Sequence, residues 1–226
     1  MAKCVSLDNP NVLPEICFHL SSHDRNLYKY LIFSLLVLES GFSIASLKRI
    51  SLPAESGNLC VLCRRLPAEQ RGRRLILVTE QGAVGEMRAL LAVGDNVGAR
   101  GGARGWTALH VAASRGDVEA TGLLVDAGAA VDARITWQQW TPLCVAAERD
   151  RATVARLLLR ANADHKARDG SGWTPLHLAA RCGNAEVAAA LLQVGAERDA
   201  TTGDSGATAV DLARENKDSR LMEMLS

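Results

Sequence analysis

The sequence predicts an all-α chain arranged as a solenoid, in which short units of two helices stack one on the next. Three observations lead there. A helix-starting stretch occurs four times, as Gly105-Trp106-Thr107-Ala108-Leu109-His110-Val111-Ala112-Ala113, Trp140-Thr141-Pro142-Leu143-Cys144-Val145-Ala146-Ala147, Gly172-Trp173-Thr174-Pro175-Leu176-His177-Leu178-Ala179-Ala180 and Gly206-Ala207-Thr208-Ala209-Val210-Asp211-Leu212-Ala213. Its threonines, Thr107, Thr141, Thr174 and Thr208, are 34, 33 and 34 residues apart, a fixed period that marks a repeat architecture. Composition agrees: with 48% apolar residues but only 4% aromatics, the helices must pack closely through small side chains.

Residues 1–71 lack this period and read as a poorly defined, partly disordered flanking segment. Pro10, Pro14 and Ser21-Ser22 interrupt its start. The apolar run Tyr30–Leu38, closed by Glu39, is too short for the roughly 20 residues that cross a bilayer. Cys60-Val61-Leu62-Cys63 has the spacing of half a zinc site or a redox pair, but no second Cys-x-x-Cys or nearby His pair completes it. His19 and His23 lie about forty residues upstream. The preferred reading is two half-buried thiols before a basic linker, Arg64-Arg65 and Arg71-Gly72-Arg73-Arg74.

From residue 72 each unit can be justified in turn. The recurring threonine suits the N-cap, where its hydroxyl accepts a first-turn N–H, and Pro142 and Pro175 suit the first helical position. A second, amphipathic helix follows in each unit, marked by Leu124-Val125, Leu158-Leu159 and Leu191-Leu192. These lead into Gly128, Asn162 and Gly195, and finding Asn among glycines indicates a shared left-handed helix end. The same ruler recovers an earlier unit through Gly82, Leu90-Leu91 and Gly94, which opens with Arg73-Arg74-Leu75-Ile76 in place of Thr-Pro. A more polar first unit and a shortened last one are what the ends of a stack require. The units then run at about 73–104, 105–138, 139–171, 172–205 and 206–226.

On Thr174-Pro175-Leu176-His177-Leu178-Ala179-Ala180, Gly183, Val187, Leu191-Leu192 and Gly195-Ala196, residues 72–226 resemble an ankyrin-repeat domain of about five repeats, caps included. The resemblance implies helix–turn–helix pairs, each followed by a hairpin-like finger at right angles. It implies that His110 and His177 bridge the loops of neighbouring repeats. Leu109, Leu143, Leu176 and Val210 should form one buried column. Cys144 and Asp211 stand where histidine is expected, Asp150 where Gly116 and Gly183 lie, and Gln139 where the finger turns have glycine. Repeat 139–171 should therefore be the softest link.

The resemblance also implies a non-catalytic scaffold that binds a protein partner through finger tips and the concave face. The finger positions are Ala103, Arg104 and Trp106; Trp137, Gln138 and Trp140; Gly170, Ser171 and Trp173; and Asp204 and Ser205. Groove positions on the first helices are Ser114 and Arg115, Glu148 and Arg149, Arg181 and Cys182, and Arg214 and Glu215. Trp106, Trp140 and Trp173 share one site in successive repeats, with Arg115, Arg149 and Arg181 in the next column. Trp and Arg dominate binding hot spots, but a tryptophan before the threonine also serves to pack one finger on the next. Trp137 has no counterpart and reads as a pure contact residue. An acidic and apolar partner suits this face.

Other chemistry is not supported. There is no nucleotide loop, because the glycine-rich run Gly98–Gly105 lacks Lys-Ser/Thr. No Ser/His/Asp order and no complete metal set is present, so neither an enzyme nor a cofactor is expected. A net charge of +1 argues against nucleic acid and acidic membrane surfaces as partners, and a monomer is expected. Six cysteines with no dense secretory framework, and no cleavable signal peptide, point to a reducing compartment, cytoplasmic or nuclear. The alternatives are an adaptor or inhibitor whose N-terminal segment recruits a ubiquitin ligase, from the faint Leu/Cys/Pro pattern of Leu59–Pro67, and a zinc or redox role for Cys60 and Cys63.

Overall fold

The computed structural model describes residues 67–226, apart from Asp95 and Ala103. The Cys60/Cys63 pair, His19, His23, the apolar run 30–38 and most of Leu59–Pro67 lie outside the described residues.

Ten helices follow in five pairs among the described residues: α1 Ala68–Gln81 and α2 Val84–Ala92; α3 Ala108–Arg115 and α4 Val118–Asp126; α5 Pro142–Glu148 and α6 Ala152–Arg160; α7 Pro175–Cys182 and α8 Ala185–Gln193; α9 Ala209–Glu215 and α10 Ser219–Leu225. First helices pack on first helices in the order α1, α3, α5, α7, α9, and second helices on second helices in the order α2 to α10. Contacts therefore run between neighbours in two parallel layers, an all-α solenoid of about five repeats.

Local chemistry starts each pair. Thr107, Thr141, Thr174 and Thr208 sit at the N-caps of α3, α5, α7 and α9 in extended conformation. In α3 and α7 the cap is reciprocal. The threonine takes the N–H of the third helical residue, and Nδ1 of His110 or His177 accepts the threonine's own N–H at 3.3 and 3.1 Å. Such a cap stabilises a helix by about 1 kcal/mol. Pro142 and Pro175 begin α5 and α7 where a missing donor leaves nothing unpaired.

Burial separates the two layers. Residues 108–113, 142–147 and 175–180 are buried without interruption, because each first helix has a neighbour on both sides and its own second helix behind. Second helices bury one face only, Ala120, Thr121 and Leu124 in α4, Val154, Ala155 and Leu158 in α6, and Val187, Ala188 and Leu191 in α8. The expected column of Leu109, Leu143 and Leu176 is fully buried, and Leu75 extends it upstream. Val210 departs from expectation and is only half-buried, since no further repeat covers α9.

A second departure is at the start. Arg71–Arg74, read in the sequence as a linker, lies within α1. Gly72 packs there so closely that a Cβ would come within 2.3 Å of Ala99 Cβ, and Arg74 pairs with Glu86 of α2 at 2.7 Å. Packing and pairing, invisible in composition, turn a basic run into helix.

Helix ends are closed from the next repeat. Each first helix leaves its last carbonyls without an intrahelical partner. Glu80 O accepts Arg115 Nη1 at 2.7 Å, and Ser114 O accepts Arg151 Nε at 3.1 Å. Ala147 O and Glu148 O accept Asn184 Nδ2, at 2.6 and 3.2 Å, and Ala180 O and Arg181 O accept Asn216 Nδ2. Every one of these bonds spans 35–37 residues.

Candidate protein-binding face

Each finger is a short backbone hairpin. Gly101 and Trp106 exchange N–H···O bonds of 2.8 and 3.1 Å, Ile135 N–H reaches Trp140 O at 3.0 Å, and Asp169 N–H reaches Trp173 O at 2.9 Å. Successive fingers then join edge to edge through Thr136 N–H to Arg104 O, Gly170 N–H to Gln138 O and Gly203 N–H to Ser171 O, at 3.1, 2.9 and 3.0 Å. The third and fourth fingers approach so closely that a Cβ on Gly172 would stand 2.7 Å from Gly203 N.

An arginine ladder underlies the fingers, and the sequence reading missed it. Arg100 Nη1 donates to Arg134 O at 2.6 Å, Arg134 Nη1 to Arg168 O at 2.7 Å, and Arg168 Nη1 to Thr201 O at 2.7 Å. The signal was available as arginine at the same register in three consecutive units, at intervals of 34 residues.

Of the histidine bridges that the resemblance implied, His110 reaches the next repeat at Trp140, whereas His177 reaches Ala200 within its own repeat, 172–205. His110 Nε2 donates to Trp140 O at 3.1 Å, and His177 Nε2 donates to Ala200 O at 2.8 Å, while Nδ1 of each accepts from the threonine cap. The rings are therefore neutral, with the proton on Nε2. Burial, abetted by Arg100, lowers the pKa of His110 to about 4; burial and Arg168 lower that of His177. Cys144 makes no such bridge. Its thiol sits 3.5 Å from Thr141 Oγ1, and burial raises its pKa. Part of the loss is made good elsewhere: Trp140 Nε1 donates to Asp169 Oδ2 at 3.0 Å, and Asp169 Oδ1 accepts the N–H groups of Ser171 and Trp173.

The tryptophan row holds the fingers together. Trp106, Trp140 and Trp173 are half-buried and pack against the core. Trp173 Nε1 reaches Asp204 Oδ1 at 3.3 Å, repeating the Trp140–Asp169 bond one finger on. Trp106 Nε1 is buried with no partner among the described residues, and the register that supplies Asp169 is held there by Ile135. Of the three arginines expected beside the row, Arg181 lies over the Trp173 ring at 4.8 Å. Arg115 turns back to the end of α1, and Arg149 pairs with Glu148 at 3.4 Å.

The remaining contact candidates project outward. Trp137 is 79% exposed at the second finger tip, beside exposed Gln138. Arg104 is exposed on the first finger, and its guanidinium has no partner among the described residues. Among the described residues no cluster of His, Cys, Asp or Glu gathers to hold a metal ion, and no helix is long and apolar enough to cross a membrane. The two histidines are occupied by structural bonds. What the face offers a ligand is exposed indole, amide, guanidinium and finger backbone, which is recognition chemistry.

Comparison with known families returns two matches. A model described as "Ankyrin repeats (3 copies)" matches residues 75–169, and one described as "Ankyrin repeat" matches residues 171–203. No curated protein matches the chain.

Proposed function

Because this chain belongs to the ankyrin-repeat family, whose repeats are typically protein–protein interaction modules, we propose that it is a non-catalytic scaffold that binds a protein partner through its finger tips and adjoining concave face. One observation carries the reading: Trp137 stands 79% exposed on a finger that is itself fixed by backbone bonds to the fingers on either side. A rigid, exposed indole contributes large contact area with little ordering entropy. The contact set is Arg104, Trp137 and Gln138, with the uncovered edges of Trp106, Trp140 and Trp173 and the groove residues Arg115, Arg149 and Arg181 around it. The indole row thus serves both packing and contact.

The experiment is affinity capture with the full-length protein against its Trp137→Ala/Arg104→Ala form. Neither side chain supports the fold, so thermal unfolding should stay within about 0.5 kcal/mol of the parent. Partner recovery should fall at least tenfold. Undiminished recovery by the folded variant overturns the finger-tip reading.

A further inference from the structure

The first repeat was expected to close the stack. One of its side chains does not fit that role. Leu77 of α1 shares a register with Val111, Val145, Leu178 and Leu212, which are 6%, 1%, 1% and 5% exposed, whereas Leu77 is 48% exposed. The later four are covered because a preceding first helix packs against each of them; α1 has no preceding helix among the described residues. Its neighbour Ile76 occupies the register of His110 and His177. Without a bridging ring, Ile76 lies flat on the first finger, where a Cβ on Gly101 would come within 2.8 Å of Ile76 Cδ1.

This leaves a groove of about 790 Å³ between α1 and the first finger. Leu77 and the half-buried Trp106 supply its apolar surface, and Arg73, Arg100 and Arg104 stand around it with Glu80 as the opposing charge. Arg73 is paired with Glu69 on the exposed side, and Arg100 uses one N–H on Arg134 O. The Arg104 guanidinium has no partner among the described residues. With Arg73 held by Glu69, Arg100 and Arg104 face Glu80 around an exposed leucine, an arrangement complementary to acid flanking an apolar side chain. A guanidinium fork takes carboxylate in two parallel bonds, and a half-open leucine gains most from an apolar partner.

We propose that this groove is the docking site for an acidic segment of a partner protein, in which one apolar side chain seats on Leu77 and Trp106 while flanking carboxylates meet Arg104 and Arg100. The proposal rests on the interaction-scaffold reading above and gives it an entry point at the first repeat, away from Trp137.

The test uses the full-length protein and a displayed library of random twelve-residue peptides. Selected peptides should be rich in Asp and Glu around a Leu, Ile, Phe or Met, and their affinity should fall as salt rises. Synthetic versions should bind at least tenfold more weakly to Arg104→Glu and to Leu77→Asp, both changes at exposed positions. Peptides that lose affinity only on Trp137→Ala place recognition at the second finger and overturn the groove while sparing the scaffold reading. A selection whose binders ignore all three substitutions, or that yields no binder, overturns the groove as well. Because Arg104 belongs to both sites, capture with Trp137→Ala alone then judges the finger-tip reading on its own.

Discussion

Four non-glycine residues have positive φ among the described residues: Gln139, Asp150, Asn162 and Lys217, at 56°, 55°, 62° and 56°. None is stray. Asp150 and Lys217 continue the register of Gly82, Gly116 and Gly183; Asn162 continues that of Gly94, Gly128 and Gly195; and Gln139 that of Gly105, Gly172 and Gly206. The left-handed conformation disfavours a side chain by about 1–2 kcal/mol, less for Asn. Asp150→Gly and Lys217→Gly should each stabilise by about 1 kcal/mol, raising the melting temperature by roughly 2–4 °C, whereas Asn162→Gly should gain less. Calorimetry decides; no gain at Asp150 would mean its backbone is unstrained. The substitutions at 139, 150 and 162 could be read from spacing alone. Lys217 follows Thr208 at the same nine-residue distance as Gly183 follows Thr174, so the same spacing reaches it although the sequence reading did not draw it.

The histidines carry a pH consequence at the same scale. Their folded pKa lies below the unfolded value near 6.5, so the unfolded chain binds the proton first as pH falls. Stability is then full above about pH 6.5; His110 loses its share between there and about pH 4, by at most ~1.4 kcal/mol per pH unit, and His177 adds a loss of the same sign. Urea midpoints measured across this range should show that slope. His110→Gln should flatten it, and an unchanged slope would remove His110 as its source.

Among elements, repeat 139–171 stands apart. It holds three of the four strained residues, and Cys144 leaves its finger without a ring bridge. Against this, Trp140 and Asp169 make a bond that Trp106 of repeat 105–138 lacks, and Asn184 clasps two carbonyls of α5. The strain and missing bridge outweigh these, so amides of 139–160 should exchange faster than their equivalents in 105–126 and 172–193. Uniform protection across the three repeats would refute softness in repeat 139–171. Helix starts were legible because capping chemistry is local: Thr, Pro and His act within one turn of their own positions. The clasps of Arg115, Arg151, Asn184 and Asn216 were not, since each varies in residue type and acts 35–37 residues away. For the contact face, sequence placed the tryptophans on fingers and set Trp137 apart because it has no counterpart, but the bond that ties Trp140 to Asp169 of the next finger is visible only in the finger geometry.

As a whole the described chain is held by contacts between neighbouring units, first helix on first helix and second on second. Its stability is then a sum of unit and interface contributions, with cooperativity only as strong as the weakest interface. Leu143→Ala, in the buried column of the soft repeat, should remove about 2–5 kcal/mol. Urea unfolding followed by circular dichroism should broaden or divide into two steps as the flanking repeats melt apart. A single sharp transition at lower urea would show that the interfaces outweigh the unit.

The arginine ladder has one more implication, about copy number. Each rung joins a side chain to the carbonyl at the equivalent place one period on, always from the earlier unit to the later. Duplicating or deleting a whole period would leave every other rung intact, with one donor spare at one end and one acceptor at the other. The rung from Arg168 spans 33 residues where the other two span 34, so the run already accommodates a finger one residue shorter. The ladder thus admits growth by whole modules, with a finger's length free to differ by a residue so long as the next carbonyl stays within reach.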